Sequence, residues 1–447
     1  MTETEDVLEK LANTGVRRVK LAATDMDGVL RGKYISFEKF ASAAASHLGF
    51  CDVIFGWDIG DVLYDNARYT GWHTGYPDAI TRIDLSTMRL IPWEPGTALF
   101  LIDFYREDGS GLSISPRQVL ERVLDRARTQ GFGVKLAAEY EFWFFRETPQ
   151  TLREKNFRGL TPLSPGMFGY SVLRASQNAS LVLDIMDQLA AFNLALEGFH
   201  TETGPGVYEA AIAADKGVAA ADKAALFKTA VKEIAARHDL IPTFMAKWSS
   251  DMPGSSGHIH QSLYSIEDGR NAFFECGKPS PVMTRYIGGL CAFLPELMAM
   301  IGPTVNSYKR TVPGLWAPVN ASWGIDNRTT AIRSIPGSAT STRIELRLAA
   351  ADMNPYLAMA ASIAAGLEGV TRALEPPAPA TNAYDTNAAP LPRDLGEATD
   401  RFNASSVARN WFGDEFVDHY VCTRTWEMRQ YQRAVTDWEL ARYFESV

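Results

Sequence analysis

The chain has 447 residues, 46% of them hydrophobic and 22% charged, with a formal net charge of −9. That length and apolar content give a large buried core with room for two domains, and the acidic balance argues against nucleic acid as a partner. No apolar run approaches the ~20 residues of a membrane span, the acidic start "MTETEDVLEKLANTG" lacks a secretory h-region, and Cys51, Cys276, Cys291 and Cys422 form no CxxC pair. A cytoplasmic protein with no membrane partner, no disulfide framework and no zinc ribbon is the expectation.

In chain order, "VRRVKLAATDMDGVLRGKYI" alternates apolar residues around a D-G turn and predicts a hairpin. "TALFLIDFY" at 97–105 predicts a buried strand, ended by the polar loop "REDGSG". A new regime starts with "SPRQVLERVLDRARTQG": Ser115 can cap a helix, Pro116 suits its first turn and Gly131 can close it. These signals divide the chain into a strand-rich first domain over 13–110 and a second domain over 111–447, with the boundary in the loop near 108–114. Residues 210–238 are alanine-rich with helical periodicity, and "IGGLCAFLPELMAMIG" at 287–302 reads as a buried helix. The Pro/Ala/Asn-rich stretch 375–393 reads as irregular and exposed. The last ~45 residues read as amphipathic helices.

Four segments carry acids or histidines at strand spacing. In "KLAAEYEFWFF", Glu139 and Glu141 are two apart, so a strand points both the same way. Buried side by side they repel, and something cationic is needed between them. "GFHTETGPGVYEAAI" holds His200, Glu202 and Glu209, and its G-P-G turn would bring the two glutamates together. "PGSSGHIHQSL" holds His258 and His260. "STRIELRLA" alternates Arg343, Glu345 and Arg347 with apolar residues. Each segment alone is compatible with simple strand amphipathicity, and the HxH by itself also suits a zinc amidohydrolase. Together, Glu139, Glu141, Glu202, Glu209, Glu345 and His258 form a hard ligand set suited to Mg²⁺ or Mn²⁺. Arg310, Arg328, Arg333, Arg343 and Arg347 cluster nearby in sequence, and arginine forks match phosphate and carboxylate. Divalent ions plus arginines point to phosphoryl transfer from a nucleotide. No P-loop GxxxxGK[ST] is present.

The order of "EYEF", "HTETGPGVYE", "GHIHQS", "NSYKR", "NRT" and "RIELR…NPYLAMAA" resembles the glutamine synthetase family over nearly the whole chain. The resemblance implies an α+β fold: an N-terminal β-grasp domain, then a catalytic domain with a curved antiparallel sheet flanked by helices. It implies a homo-oligomer, a dodecamer of two hexameric rings with sites at subunit interfaces. The implied chemistry is activation of L-glutamate by ATP to γ-glutamyl phosphate, followed by displacement of phosphate by an amine, with two to three Mg²⁺ or Mn²⁺. Carried over residue by residue, Glu141, Glu202 and Glu209 would hold one metal, and Glu139, His258 and Glu345 the second. Arg310 and Arg347 would contact the glutamate carboxylate or the transferred phosphate, with Gly254 and His200 as further substrate contacts. Arg328, Arg333 and Arg343 would hold nucleotide phosphates, Arg328 also stabilising the transition state, and Ser262 lies near the base. Asp25 of a neighbouring subunit would help deprotonate the amine.

The departures concern the acceptor. Ammonia-using members carry a glutamate two residues beyond a Pro-Gly that here is Pro313-Gly314; this chain has Trp316 there. Pro253 stands where an asparagine is usual, and no adenylylation context surrounds Tyr384. A tryptophan accepts no proton, but it walls a pocket or stacks on an organic amine. The pattern therefore resembles the γ-glutamyl-amine ligase branch and predicts a small primary amine as acceptor, with Asp326 and Asp58 as candidate contacts for a cationic one. A glutamine synthetase with an altered loop, and a non-catalytic structural relative such as lengsin, are the competing readings. The second requires lost metal ligands, and all six positions retain an acid or histidine.

Overall fold

The computed structural model describes residues 2–312, 314, 317–382 and 388–447. Trp316 and Tyr384 lie outside the described residues.

The expected hairpin pairs Arg18–Thr24 with Leu30–Ser36 in antiparallel register, Arg18 opposite Ser36 and Thr24 opposite Leu30. Asp25 makes the turn: its Oδ1 accepts from the N–H groups of Asp27 and Val29. Gly28 follows with φ +79°, a conformation that glycine adopts without cost. A Cβ there would lie 3.0 Å from Asn354 Cα, so the turn seats directly on the second domain. Asn354 Nδ2 donates to the carbonyls of Asp25 and Met26 across this contact.

The hairpin belongs to a five-stranded sheet in the order Leu30–Ser36, Arg18–Thr24, Thr97–Tyr105, Asp78–Leu90, Leu48–Cys51. Its central pair, Arg18–Thr24 with Thr97–Tyr105, is parallel, and the helix Phe37–Ala44 packs on it: a β-grasp arrangement. After the loop, the helix Pro116–Thr129 begins as expected, but Ser115 does not cap it. Its Oγ donates instead to Asp103 Oδ1 at 2.9 Å, tying helix to first sheet.

Among the described residues the second sheet has nine strands. The main path runs Trp323–Ile325, Ile332–Ile335, Arg343–Leu346, Gly257–Ser265, Phe132–Phe145, Val207–Ile212, Leu196–Thr201. All neighbours on this path are antiparallel except Trp323–Ile325 with Ile332–Ile335, which run parallel at one edge. One face takes the helices. Tyr140 and Phe142 are fully buried there, Tyr140 stacking on Phe227 of the helix Val218–Ala236 at 5.8 Å. Burying each such ring contributes roughly 1.5–3 kcal/mol, and period-two alternation then forces Glu139 and Glu141 onto the other face. The alanine-rich segment is corrected here: Val207–Ile212 is strand, and the helix starts only at Val218. The 287–302 stretch lies in the buried helix Pro281–Ile301, and the chain ends in the helices Asp414–Arg433 and Asp437–Tyr443. Among the described residues no helix is long and apolar enough to cross a membrane.

Candidate active site

Antiparallel register converts the four sequence segments into rows across the open face of the second sheet. Glu141 pairs with Glu209, and Glu209 with His200. Glu139 pairs with His258. His260 pairs with Glu345, and Glu345 with Arg333. Directly paired residues share a face and approach closely, so residues distant in sequence converge. His258 Nδ1 lies 3.1 Å from Glu139 and 3.3 Å from Glu345. His200 Nε2 lies 3.1 Å from Glu209, and His260 Nε2 3.6 Å from Glu139.

Three groups bring ligand atoms within 4.8 Å of one another: Glu139, Glu209 and His258; Glu139, His260 and Glu345; His200, Glu202 and Glu209. The convergence differs in detail from the expected partition. Glu139 is shared by two groups, His260 and His200 join as neighbours, and Glu141 falls in none. Glu141 Oε2 instead accepts the Ser256 N–H at 2.6 Å.

The electrostatics follow from crowding buried carboxylates. Burial raises Glu209 above the usual carboxylate range; the His200 hydrogen bond opposes this, and the charges of Glu139 and Glu141 add to it. Burial acts on Glu139 in the same sense, but hydrogen bonds to His258 and His260 hold it well below that range. Glu345 is held down to about 2 against its burial by His258 and Arg347. His258 is lowered by its own burial, and its Nε2 has no hydrogen-bond partner. Arginines neutralise only the Glu345 end of the row. Elsewhere the carboxylates outnumber the cations, and this donor set fits hard divalent ions.

The arginines sit around this row. Arg310 is 3% exposed, and its guanidinium donates to the carbonyls of Leu348 and Arg347 and to Ser256 Oγ. Its stem explains Gly254, where a Cβ would lie 2.6 Å from Arg310 Cγ. Arg347 pairs with Glu345 and donates through Nε to the Arg328 carbonyl at 2.9 Å. Arg343 Nε meets His260 Nδ1 at 3.2 Å. A cavity of about 360 Å³ opens beside Glu139 and His260, bordered by Ser262 and Arg343. Arg328 is exposed, on a separate surface cavity with Asp326.

Asp25 is not brought to this face. It is 2% exposed, and its carboxylate is engaged by Arg31 Nε at 2.8 Å and by the turn amides.

The catalytic-domain family of glutamine synthetase matches residues 113–443. The chain belongs to the glutamine synthetase family. It is 46% identical over 438 residues to type-1 glutamine synthetase 2 of Dictyostelium discoideum, covering 96% of this chain and 84% of that protein. It is 38% identical over 450 residues to the glutamate–isopropylamine ligase of a Pseudomonas species, covering 99% of this chain and 97% of that protein. Among solved structures it is similar to a GmaS/ADP complex, with a TM-score of 0.86 and 26% identity over 98% of this chain and 99% of that one. The α+β fold expected from the motifs is this family's fold, and the chain is an ATP-dependent ligase that uses glutamate.

Reading this family's motifs by strand spacing missed one neighbour of the site. Tyr170 stacks on His200 with ring centroids 4.4 Å apart, in a backbone conformation with φ +54°. It is 70% exposed, so it walls the open side of the Glu202–Glu209 group. It lies in an irregular stretch outside any strand, where no periodicity marks a residue's direction.

Proposed function

We propose that this ligase joins the γ-carboxylate of L-glutamate to a small primary amine other than ammonia. The observation that carries the reading is Trp316, at the position where ammonia-using members of the resembled family carry a proton-accepting glutamate. Tyr170 on His200 adds a second aromatic beside the metal-type cluster and supports an acceptor with an organic body.

The proposed division of labour uses this chain's own residues. Glu139, Glu141, Glu202, Glu209, His258 and Glu345 would hold two to three Mg²⁺ or Mn²⁺, whose charge offsets the negative phosphate oxygens. The nucleotide base end occupies the cavity by Ser262, with Arg328, Arg333 and Arg343 at the phosphates. The buried Arg310, with Gly254, His200 and Arg347, orients glutamate so that a γ-carboxylate oxygen meets the γ-phosphorus. The acyl phosphate forms as ADP leaves. The amine nitrogen then attacks the acyl carbon, the bond to the phosphate oxygen breaks, and the nitrogen's surplus proton passes to the departing phosphate. The amine enters as the free base or is deprotonated by Asp25 of a neighbouring subunit, and Arg328 stabilises the charge on the departing phosphate. The assembly is a homo-oligomer, proposed as a dodecamer of two hexameric rings, and the exposed Phe168, Val172, Trp438 and Phe444 support burial against further copies. The first domain is proposed to end near residue 110.

The test is phosphate release from ATP, glutamate and Mg²⁺ over a panel of alkyl-, hydroxyalkyl-, aryl- and polyamines and ammonium. An organic amine giving the highest kcat/KM supports the proposal, and ammonium giving the highest overturns it. Trp316→Glu is expected to shift preference toward ammonium; an unchanged amine profile removes Trp316 from the acceptor pocket.

A further inference from the structure

Asp326 is one of two acids that the sequence offered as contacts for a cationic amine, and the structure gives it a different occupation. Its Oδ1 accepts from both Arg333 Nε at 3.0 Å and Arg333 Nη2 at 2.5 Å. The remaining arm, Nη1, donates to Glu345 Oε2 at 2.9 Å. The guanidinium thus bridges an acid at the rim and a buried acid within the metal-type row: the Asp326 side chain is 65% exposed, and those of Arg333 and Glu345 are 12% and 1% exposed.

The backbone is built for this contact. Asp326 follows the parallel edge pair, in which Gly324 lies opposite Arg333 and Ile325 opposite Ser334. Its own N–H donates to the Ser334 carbonyl at 2.8 Å, and its φ of +48° turns the chain back over Arg333. A left-handed conformation at a residue other than glycine persists where its surroundings demand it. An exposed carboxylate adds little to stability through its ion pair. What it does supply is orientation, because a planar fork gripped at one edge cannot rotate.

We propose that Asp326 is the positioning residue of Arg333. It grips the Nε/Nη2 edge and leaves one arm for Glu345 and for an anion arriving on that side. Without Asp326, the fork is free to swing onto Glu345 with two arms, covering a carboxylate of the metal-type row. Asp326 Oδ1 is then committed to Arg333 rather than to an amine. The proposal rests on the reading that Arg333 serves the nucleotide phosphates.

The test uses the full-length enzyme with Asp326→Asn, Asp326→Glu, Arg333→Ala and the double variant Asp326→Asn/Arg333→Ala. Two readouts are taken: KM for ATP and for glutamate alongside kcat, and ADP affinity by calorimetry in Mg²⁺ without turnover. Asp326→Asn is expected to raise KM for ATP and weaken ADP by ~10-fold, the scale of one charge-assisted hydrogen bond. KM for glutamate stays unchanged, Asp326→Glu restores most of the loss, and Asp326→Asn adds nothing once Arg333 is alanine. A full effect of Asp326→Asn in the Arg333→Ala background, or no effect in the native one, overturns the proposal. If the two residues are coupled but the shift appears in glutamate KM with ADP affinity intact, the positioning role stands and the nucleotide assignment of Arg333 falls.

Discussion

Among the described residues, two clusters of buried charge differ in a way that separates scaffold from site. In the first, Arg117 joins the domains: it donates to Asp222 through Nε and Nη2 at 3.0 and 3.1 Å, to Asp84 at 2.6 Å and to Asp103 at 3.4 Å. Tyr356 also donates to Asp222 Oδ1, Gln118 to Asp103 Oδ2 and Ser115 to Asp103 Oδ1, so the chain itself completes the cluster. In the second, Glu139, Glu202 and Glu209 converge beside Glu141, and among the described residues no arginine or lysine bonds to these four, while Glu345 has arginine partners. A burial with its cation built in is a structural joint. A burial that leaves carboxylates bonded to no arginine or lysine is a place prepared for cations from outside.

The sharpest way to break this contrast is to exchange the consequences. Glu139→Ala removes the carboxylate shared by two ligand groups and is expected to lower phosphate release by ~10³-fold or more while the protein stays folded. Retention of native turnover sinks the metal reading of that face. Arg117→Met leaves three carboxylates without their cation and is expected to cost about 3–5 kcal/mol of stability, read as a large fall in melting temperature.

A gentler test uses the ions. Mn²⁺ at about 100 times its Kd is expected to stabilise the native protein by about 2.7 kcal/mol. The gain should persist as an upward shift in folded Arg117→Met and vanish in Glu139→Ala. Because Glu209 titrates above its usual range, a proton occupies it further up the pH scale, and a cation must displace that proton. Mn²⁺ affinity is therefore expected to weaken as pH falls through that raised pKa and to strengthen above it, with proton release measurable in weak buffer.

The smallest effect concerns a cation lacking a carboxylate partner. Lys228 lies over the rings of Tyr140 and Phe244 and donates to the carbonyls of Ala351 and Met353. Burial lowers its pKa to about 7 from 10.5. The unfolded chain then binds the extra proton between those values, so this contribution to stability is complete above about 10.5 and is lost as pH falls through about 7. Lys228→Met is expected to flatten the pH dependence of the melting temperature between pH 7 and 9; an unchanged slope would show that the lysine stays charged in the fold.

Much of the site was legible because strands write their faces into sequence. Glu139 with Glu141, His258 with His260, and Arg343 with Glu345 and Arg347 each announce a shared direction by period-two spacing, and the cross-strand rows follow that spacing. The 210–217 segment misled, because small apolar residues suit both strand and helix until a partner strand claims them. Asp25 carries a local signal: an aspartate opening a D-M-D-G turn hydrogen-bonds the amides that follow it. Tyr170 and Asp326 were hidden by their backbones, since both sit at positive φ outside strands, where direction cannot be read from spacing.

The residue types, their spacing and the order of the motifs determined the reaction class, because a carboxylate-and-arginine inventory is chemistry before it is structure. Only the tertiary structure decided which of those charges answer each other. Register across strands far apart in sequence assigned Glu141 to the Ser256 amide and made Glu139 the shared carboxylate, and the parallel edge pair gave Asp326 to Arg333. Pairing at the scale of a hydrogen bond depends on where neighbouring strands fall, and no single segment carries that information.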